Sequence, residues 1–226
     1  MPTIDPSTTL GDLVTTNPAL ARPLEQLGLD YCCHGDRSLS VAVAEAELDL
    51  DSVVAALAVL PSAPDAPDWA VMEPAVLATH VEQVHHQFLW SELPRVSQLV
   101  DKIAEVHGSR HPELAEVQRL YATLRVELEP HLRREELRVF PTIRNIETAD
   151  LEDLQTRVDQ LMAEHDEAGE ILATLRDLTD GFTPPADGCN TYRAAYTALA
   201  EIEADTHLHV HKENNLLFPT VLAQRV

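Results

Sequence analysis

His131-Leu-Arg-Arg-Glu135 and His209-Val-His-Lys-Glu213 set one arrangement twice in the chain, and Phe-Pro follows each, at Phe140-Pro141 and Phe218-Pro219. An imidazole and a carboxylate four positions apart share a face of an α-helix, so they converge on one point when the segment is helical. One such pair is common on helix surfaces. Two pairs with the same following dipeptide point to a site of approximate two-fold symmetry carried by two helices.

Outward from these repeats, the chain from about residue 70 shows no alternating strand pattern. It reads as four long helical segments, roughly 73–108, 112–146, 150–179 and 189–222. The first carries a heptad-like apolar stripe at Leu89, Leu93, Val96, Val100 and Ile103. Gly108 and Pro112 mark the first turn, Thr148-Ala-Asp150 restarts the chain after Ile146, and residues 179–188 have the composition of a loop. Four such helices on short connections predict an all-α protein built on an up-down-up-down four-helix bundle.

In an antiparallel bundle, residues equidistant from a turn share a height, because each residue rises about 1.5 Å. With the first turn near residue 109, His86 lies 23 residues before it and His131 lies 22 after. With the second near 148, His131 lies 17 before and His165 lies 17 after. Across the longer third loop, His165 lies 15 before Asp180 and His209 lies 20 after Cys189. One histidine from each helix therefore falls near one level. The heptad column 86, 93, 100 and 107 selects His86 over His85, and His80 falls on the far side of the helix. His107 is about 30 Å from His86 along a straight helix, too far to share an ion. His207 and His211 flank His209 at two residues either side, so they point about 160° away and read as supporting or surface groups.

The candidate metal ligands are thus His86, His131, His165, His209, Glu135 and Glu213. Imidazole nitrogen and carboxylate oxygen suit iron or manganese better than a thiolate-loving metal. Zinc takes about four donors in a closed tetrahedron, so six are too many. The natural partition is two irons bridged by Glu135 and Glu213, each capped by two histidines.

Before the bundle, Leu60-Pro-Ser-Ala-Pro-Asp-Ala-Pro-Asp68 carries three prolines in nine residues. This predicts a small helical module over 1–60, a Pro-rich linker over 61–69 and the bundle over 70–226. In the module, Asn17-Pro18 reads as a helix start, Gly28 as a helix end, and Val41–Leu48 and Val53–Leu60 as short helices. Cys32 and Cys33 sit in a loop beside His34. A disulfide between neighbours needs a strained ring, so both are expected reduced. They are either ordinary buried thiols or a reactive pair activated by His34. Cys189 has no partner in sequence.

Lys and Arg number 16 against 38 Asp and Glu, a formal charge of −22. Such a surface repels nucleic acid and anionic membrane and attracts cations. An apolar fraction of 45% is enough for a buried core. The start Met1 to Ser7 lacks the pattern of a signal peptide, and no run reaches the roughly 18 apolar residues of a membrane span. Three cysteines do not make a secreted disulfide framework. The expectation is a cytoplasmic protein with no nucleic-acid or membrane partner.

Leu29-Asp-Tyr-Cys-Cys-His-Gly35 with Arg37-Ser38-Leu39 resembles the ScdA-type N-terminal domain of the RIC (repair of iron centres) di-iron family. Four further stretches resemble its hemerythrin-like domain: His85-His86 leading to Glu92-Leu-Pro94, His131 to Glu135, Glu164-His-Asp-Glu-Ala168, and His209 to Glu213-Asn-Asn-Leu-Leu-Phe-Pro219. The resemblance covers nearly the whole chain. It implies repair of iron–sulfur clusters damaged by nitrosative or oxidative stress, through iron donation, nitric oxide reduction at the di-iron site, or both. It also implies two non-haem irons, oxo-bridged when oxidised, on the six residues named above. The partners would be damaged iron–sulfur proteins, with nitric oxide or oxygen species as small ligands; a homodimer is compatible with this reading. Glu164 and Glu127 match acidic residues that line routes to the irons. Cys32 and Cys33 match a pair that handles iron or nitric oxide. The family often has glycine where this chain has His34, so thiol reactivity is expected to differ here. The competing function is a hemerythrin-type protein that binds or senses oxygen or nitric oxide. Carriers of that kind use five histidines and keep one iron position open, whereas four histidines leave both irons more open and favour reactivity or iron release.

Overall fold

The computed structural model describes residues 4–61 and 68–223, so positions 62–67 of the expected linker lie outside the described residues. The chain forms two compact units. One comprises the described residues up to Leu77 together with those from His207 onward, and the other is Ala78–Thr206.

The first unit begins with four short helices, α1 (Leu10–Thr16), α2 (Ala21–Gln26), α3 (Leu39–Glu45) and α4 (Leu50–Ala58). Side-chain caps start three of them, satisfying amides that a helix start leaves without partners. Thr9 accepts from the Asp12 amide, Ser38 from that of Val41 and Asp49 from that of Ser52. These caps place the starts of α3 and α4 at Leu39 and Leu50, earlier than the expected Val41 and Val53. Asn17 caps a short 3-10 turn, Pro18–Leu20, and Gly28 follows α2 with φ 69°. Helix α1 was not anticipated, because Gly11 interrupts its apolar pattern. Leu10, Val14, Leu24, Tyr31, Leu39 and Leu57 form the core of this unit, and Val210 of the C-terminal segment packs into it.

Helix α5 (Pro74–Val81) leads through a π turn, Glu82–His86, into α6 (Gln87–His107). Then come α7 (Leu114–Arg134), a π turn (Glu135–Val139) and α8 (Phe140–Arg144). Helix α9 (Leu151–Leu178) and helix α10 (Asn190–Lys212) follow. Helix α10 runs unbroken through the unit boundary and continues as a π turn (Glu213–Leu217) and α11 (Phe218–Leu222).

The second unit is the helical bundle, and its cross-links give the direction of each neighbour. Gln118 on α7 donates to Asp101 on α6 at 2.7 Å, and Arg125 donates to Ser97 at 3.3 Å, so numbers rise on one helix as they fall on the other. His85 meets Asp205 at 2.8 Å and His107 meets Cys189 at 3.3 Å, which sets α10 antiparallel to α6. Arg176 of α9 donates to the buried Glu203 of α10 at 2.9 Å. The stripe Leu89, Leu93, Val96, Val100 and Ile103 is buried throughout, against Leu124 and Leu128 of α7, Leu172 of α9 and Leu199 of α10. This is the all-α up-down-up-down bundle that the periodicity predicts. No helix among the described residues is long and apolar enough to cross a membrane.

Leu93 is fully buried in this core. Leu93→Ala should destabilise the chain by about 2–5 kcal/mol, because the truncated side chain leaves a cavity. Val126→Ala, at an exposed position, should change stability by less than about 0.5 kcal/mol. Urea unfolding of the two variants checks both.

Candidate metal centre

Each of the three π turns begins or ends on a candidate ligand. His86 closes the first, and Glu135 and Glu213 open the second and third. A π turn admits one extra residue by closing its hydrogen bonds over five positions instead of four. Pro141 and Pro219 lie two residues beyond the second and third turns. Proline has no amide hydrogen and crowds the carbonyl four residues back. The repeated Phe-Pro thus gives both helices a physical reason to widen just after the glutamate.

Within the bundle unit, three histidines converge on Glu135, whose side chain is 0% exposed. His86 Nε2 lies 3.3 Å from Oε2, His131 Nε2 lies 3.3 Å from Oε1, and His165 Nε2 lies 4.0 Å from Oε1. The Nε2 atoms of His131 and His165 are 3.1 Å apart. The ligand atoms of His131, Glu135 and His165 all lie within 4.8 Å of one another.

The outer faces of two of these rings explain their inner faces. His131 Nδ1 lies 2.8 Å from Glu164 Oε2, and His86 Nδ1 lies 3.0 Å from Glu136 Oε1. An ionised carboxylate only accepts, so each Nδ1 carries a hydrogen, and in the neutral ring Nε2 then turns a lone pair toward Glu135. Burial alone would raise the Glu164 carboxyl, but hydrogen bonds from His131, Arg134 and Gln160 outweigh it and lower its pKa to about 2. Trp90 donates to the same Glu136 oxygen at 2.7 Å, and Phe140 stacks on the His86 ring at 5.3 Å. Imidazole lone pairs and a carboxylate facing one another out of water repel unless a cation stands among them, so the residues present fit a metal ion. His85, beside His86, turns instead to Asp205. Glu136 and Asp205 were not anticipated, because an outer carboxylate has no fixed spacing from the ring that it orients.

In the first unit, the second repeat has the same local geometry, with His209 Nε2 lying 3.1 Å from Glu213 Oε1. His207 and His211 point away from this pair but are not surface groups. His211 is 0% exposed, with its ring between the Thr15 hydroxyl (3.1 Å) and the Tyr31 carbonyl (3.4 Å). Burial lowers its pKa to about 4, so it is neutral near pH 7. His207 Nδ1 lies 3.4 Å from Glu25 Oε1. The sequence alone gives no sign of this cover, which comes from residues far away along the chain.

A cleft of about 190 Å³ opens on the outer side of His131, lined by Glu127, Arg134, Glu164 and Glu167 among others. Glu127 is exposed there, and its carboxyl is raised by partial burial and by the charges of Glu167 and Glu164. Cys32 and Cys33 are reduced, with sulfurs 3.8 Å apart. The His34 ring turns to Asp30, its Nδ1 lying 2.6 Å from Oδ2, and the Cys32 thiol donates to Asp30 Oδ1 at 3.2 Å. The hydrogen bond to Cys33, burial and the Asp30 charge push the Cys32 thiol well up. Asp30, Cys32 and Cys33 also bring ligand atoms within 4.8 Å of one another. Cys189 does have a partner in the fold: the Tyr192 amide and the His107 ring lower its thiol to about 7.

Comparison with known proteins agrees with this architecture. The hemerythrin HHE cation binding domain matches residues 77–221, and a domain of unknown function, ScdA_N (DUF542), matches residues 6–60. The iron-sulfur cluster repair protein YtfE of Enterobacter sp. (strain 638) is 32% identical, over 95% of this chain and 96% of its own. YtfE of Escherichia coli O81 (strain ED1a) is 31% identical over the same shares. The iron-sulfur cluster repair protein ScdA of Staphylococcus haemolyticus (strain JCSC1435) is 29% identical, over 92% of this chain and 95% of its own. With its bundle and both domain matches, the chain belongs to the hemerythrin-like family of iron-sulfur cluster repair proteins.

Proposed function

We propose that this protein repairs iron–sulfur clusters damaged by nitrosative or oxidative stress, using two non-haem irons held by His86, His131, His165, His209, Glu135 and Glu213. The convergence of three imidazoles on the fully buried Glu135 carries this reading. The His209–Glu213 pair repeats the geometry of His131–Glu135. The heights counted along the sequence, with His165 and His209 each 15 to 20 residues from the third loop, support grouping it with the other four ligands. Irons held in this way supply labile metal to a depleted cluster or electrons for nitric oxide reduction. The names of the relatives favour repair over oxygen carriage or sensing.

The chain's own residues have separable tasks. Glu136 and Glu164 orient the His86 and His131 rings through Nδ1 and keep each Nε2 available. Glu127 and Glu164 line the cleft beside His131, an acidic route for cations inward and outward. Cys32, whose thiol is held neutral in the resting protein, and its neighbour Cys33 assist delivery or nitric oxide handling. We assign residues 1–60 to this thiol-bearing module, 61–69 to the connection and 70–226 to the di-iron bundle. The place of action is the cytoplasm, on damaged iron–sulfur proteins.

Protein purified without air should carry about two irons per chain, as six donors suffice for two ions. Glu135→Ala with Glu213→Ala should empty the site, measured by metal analysis and Mössbauer spectroscopy; two irons retained by that variant would end the assignment. Glu164→Ala should weaken iron retention about 10–100-fold, the usual loss on removing the partner of a metal-bound histidine. Competition with a chelator measures this, and wild-type retention would show that Glu164 does not orient His131. Cys32→Ser with Cys33→Ser should keep the iron but slow repair of a nitric-oxide-damaged cluster in a reconstituted assay. Equal repair rates would make the pair structural.

A further inference from the structure

The loop that carries Cys32 and Cys33 rests on the segment that carries Glu213. Asn215, two residues beyond Glu213 in the same π turn, donates from Nδ2 to the Cys32 carbonyl at 2.9 Å and to the Tyr31 carbonyl at 3.3 Å. His211, between His209 and Glu213, donates from Nδ1 to the same Tyr31 carbonyl at 3.4 Å. The loop also packs on the Asn215 amide directly. A Cβ at Gly35 would meet Asn215 Oδ1 at 2.3 Å, and one at Gly11 would meet it at 2.9 Å. The Gly11 amide in turn donates to the Gly35 carbonyl at 2.8 Å, closing the loop against α1. Only glycine admits so close an approach at these two positions.

We propose that Asn215 is a positioning residue that couples metal occupancy at His209 and Glu213 to the reactivity of the Cys32–Cys33 pair. The inference rests on the di-iron reading above. A π turn holds one more residue than an α-helical turn and has a nearby alternative in ordinary helix, so it is an element able to shift by one position. A metal ion on Glu213 fixes the head of this turn. With the head fixed, Asn215 stays on the Tyr31 and Cys32 carbonyls, and the Cys32 thiol stays buried and protonated. Loss of the ion frees the turn, loosens the two carbonyls and exposes the thiols. Coupling of this kind is reciprocal, so modification of the thiols weakens the hold on the ion by the same factor.

The test uses the full chain carrying Cys189→Ser, so that only the paired thiols report. Protein loaded anaerobically with ferrous iron and metal-free protein are labelled with iodoacetamide, and labelling of the Cys32–Cys33 peptide is timed by mass spectrometry. The metal-free form should label about fivefold faster or more, the lower end of usual coupling between sites. Asn215→Ala, and the isosteric Asn215→Asp that cannot donate to carbonyls, should bring the two rates together while iron per chain stays unchanged. Bound iron with equal rates in the parent protein would overturn the coupling alone. So would a rate difference that survives in either variant. Absence of bound iron in the parent would instead overturn the di-iron reading and the coupling with it.

Discussion

A carboxylate with no solvent exposure sits at the centre of the bundle. Taking an ion of that size out of water costs several kcal/mol even after the protein relaxes. Hydrophobic packing of the stripe from Leu89 to Ile103 does nothing to offset this, because apolar atoms do not solvate charge. Where the rings are neutral, the three imidazoles around Glu135 offset it only in part, since Glu136 and Glu164 take up the Nδ1 hydrogens of two of them and leave their Nε2 lone pairs pointing inward. The chain has therefore placed acceptors around an acceptor. That arrangement favours positive charge in the middle, which is why the donor set fits a cation.

The outer shell carries the opposite logic. Glu164 accepts from His131, Arg134 and Gln160, and Glu136 accepts from His86 and Trp90. These carboxylates are only partly exposed and each accepts from several donors, so they hold the rings in one orientation. A chain with a formal charge of −22 would otherwise tend to raise its carboxyl groups. Glu127 shows that tendency, raised by partial burial and then by the charges of Glu167 and Glu164.

Much of this was legible in the sequence because it depends on helical periodicity. The His-Glu spacing of four, the heptad column from His86 to His107, and the counting of heights from each turn all follow from a regular rise and twist. What periodicity does not carry was missed. The π turns shift the register locally, and only the repeated Phe-Pro hinted at them. Glu136 and Asp205 become partners of His86 and His85 through packing between helices distant in sequence. Whether His211 was a supporting or a surface group stayed open in the sequence, because its cover comes from Thr15 and Tyr31, nearly two hundred residues earlier. The sequence left open whether His34 activates the thiols, and the turn geometry delivers its ring to Asp30.

The end of α10 shows how one helix serves two chemistries without mixing them. Successive residues turn by about 100°, so positions two apart face nearly opposite directions. His209 faces Glu213, while His207 and His211 face the module that carries the cysteines. Imidazole and carboxylate bind a hard ion through nitrogen and oxygen, whereas thiolates prefer softer metals and reduce ferric iron. Thiolates placed among the six donors would change both the preferred metal and its oxidation state. Raising the Cys32 thiol through burial and its neighbours keeps it a neutral, weak ligand. A nitrogen–oxygen donor pair on the helix and a thiol pair in the loop packed against it can then lie close together with their chemistries kept apart.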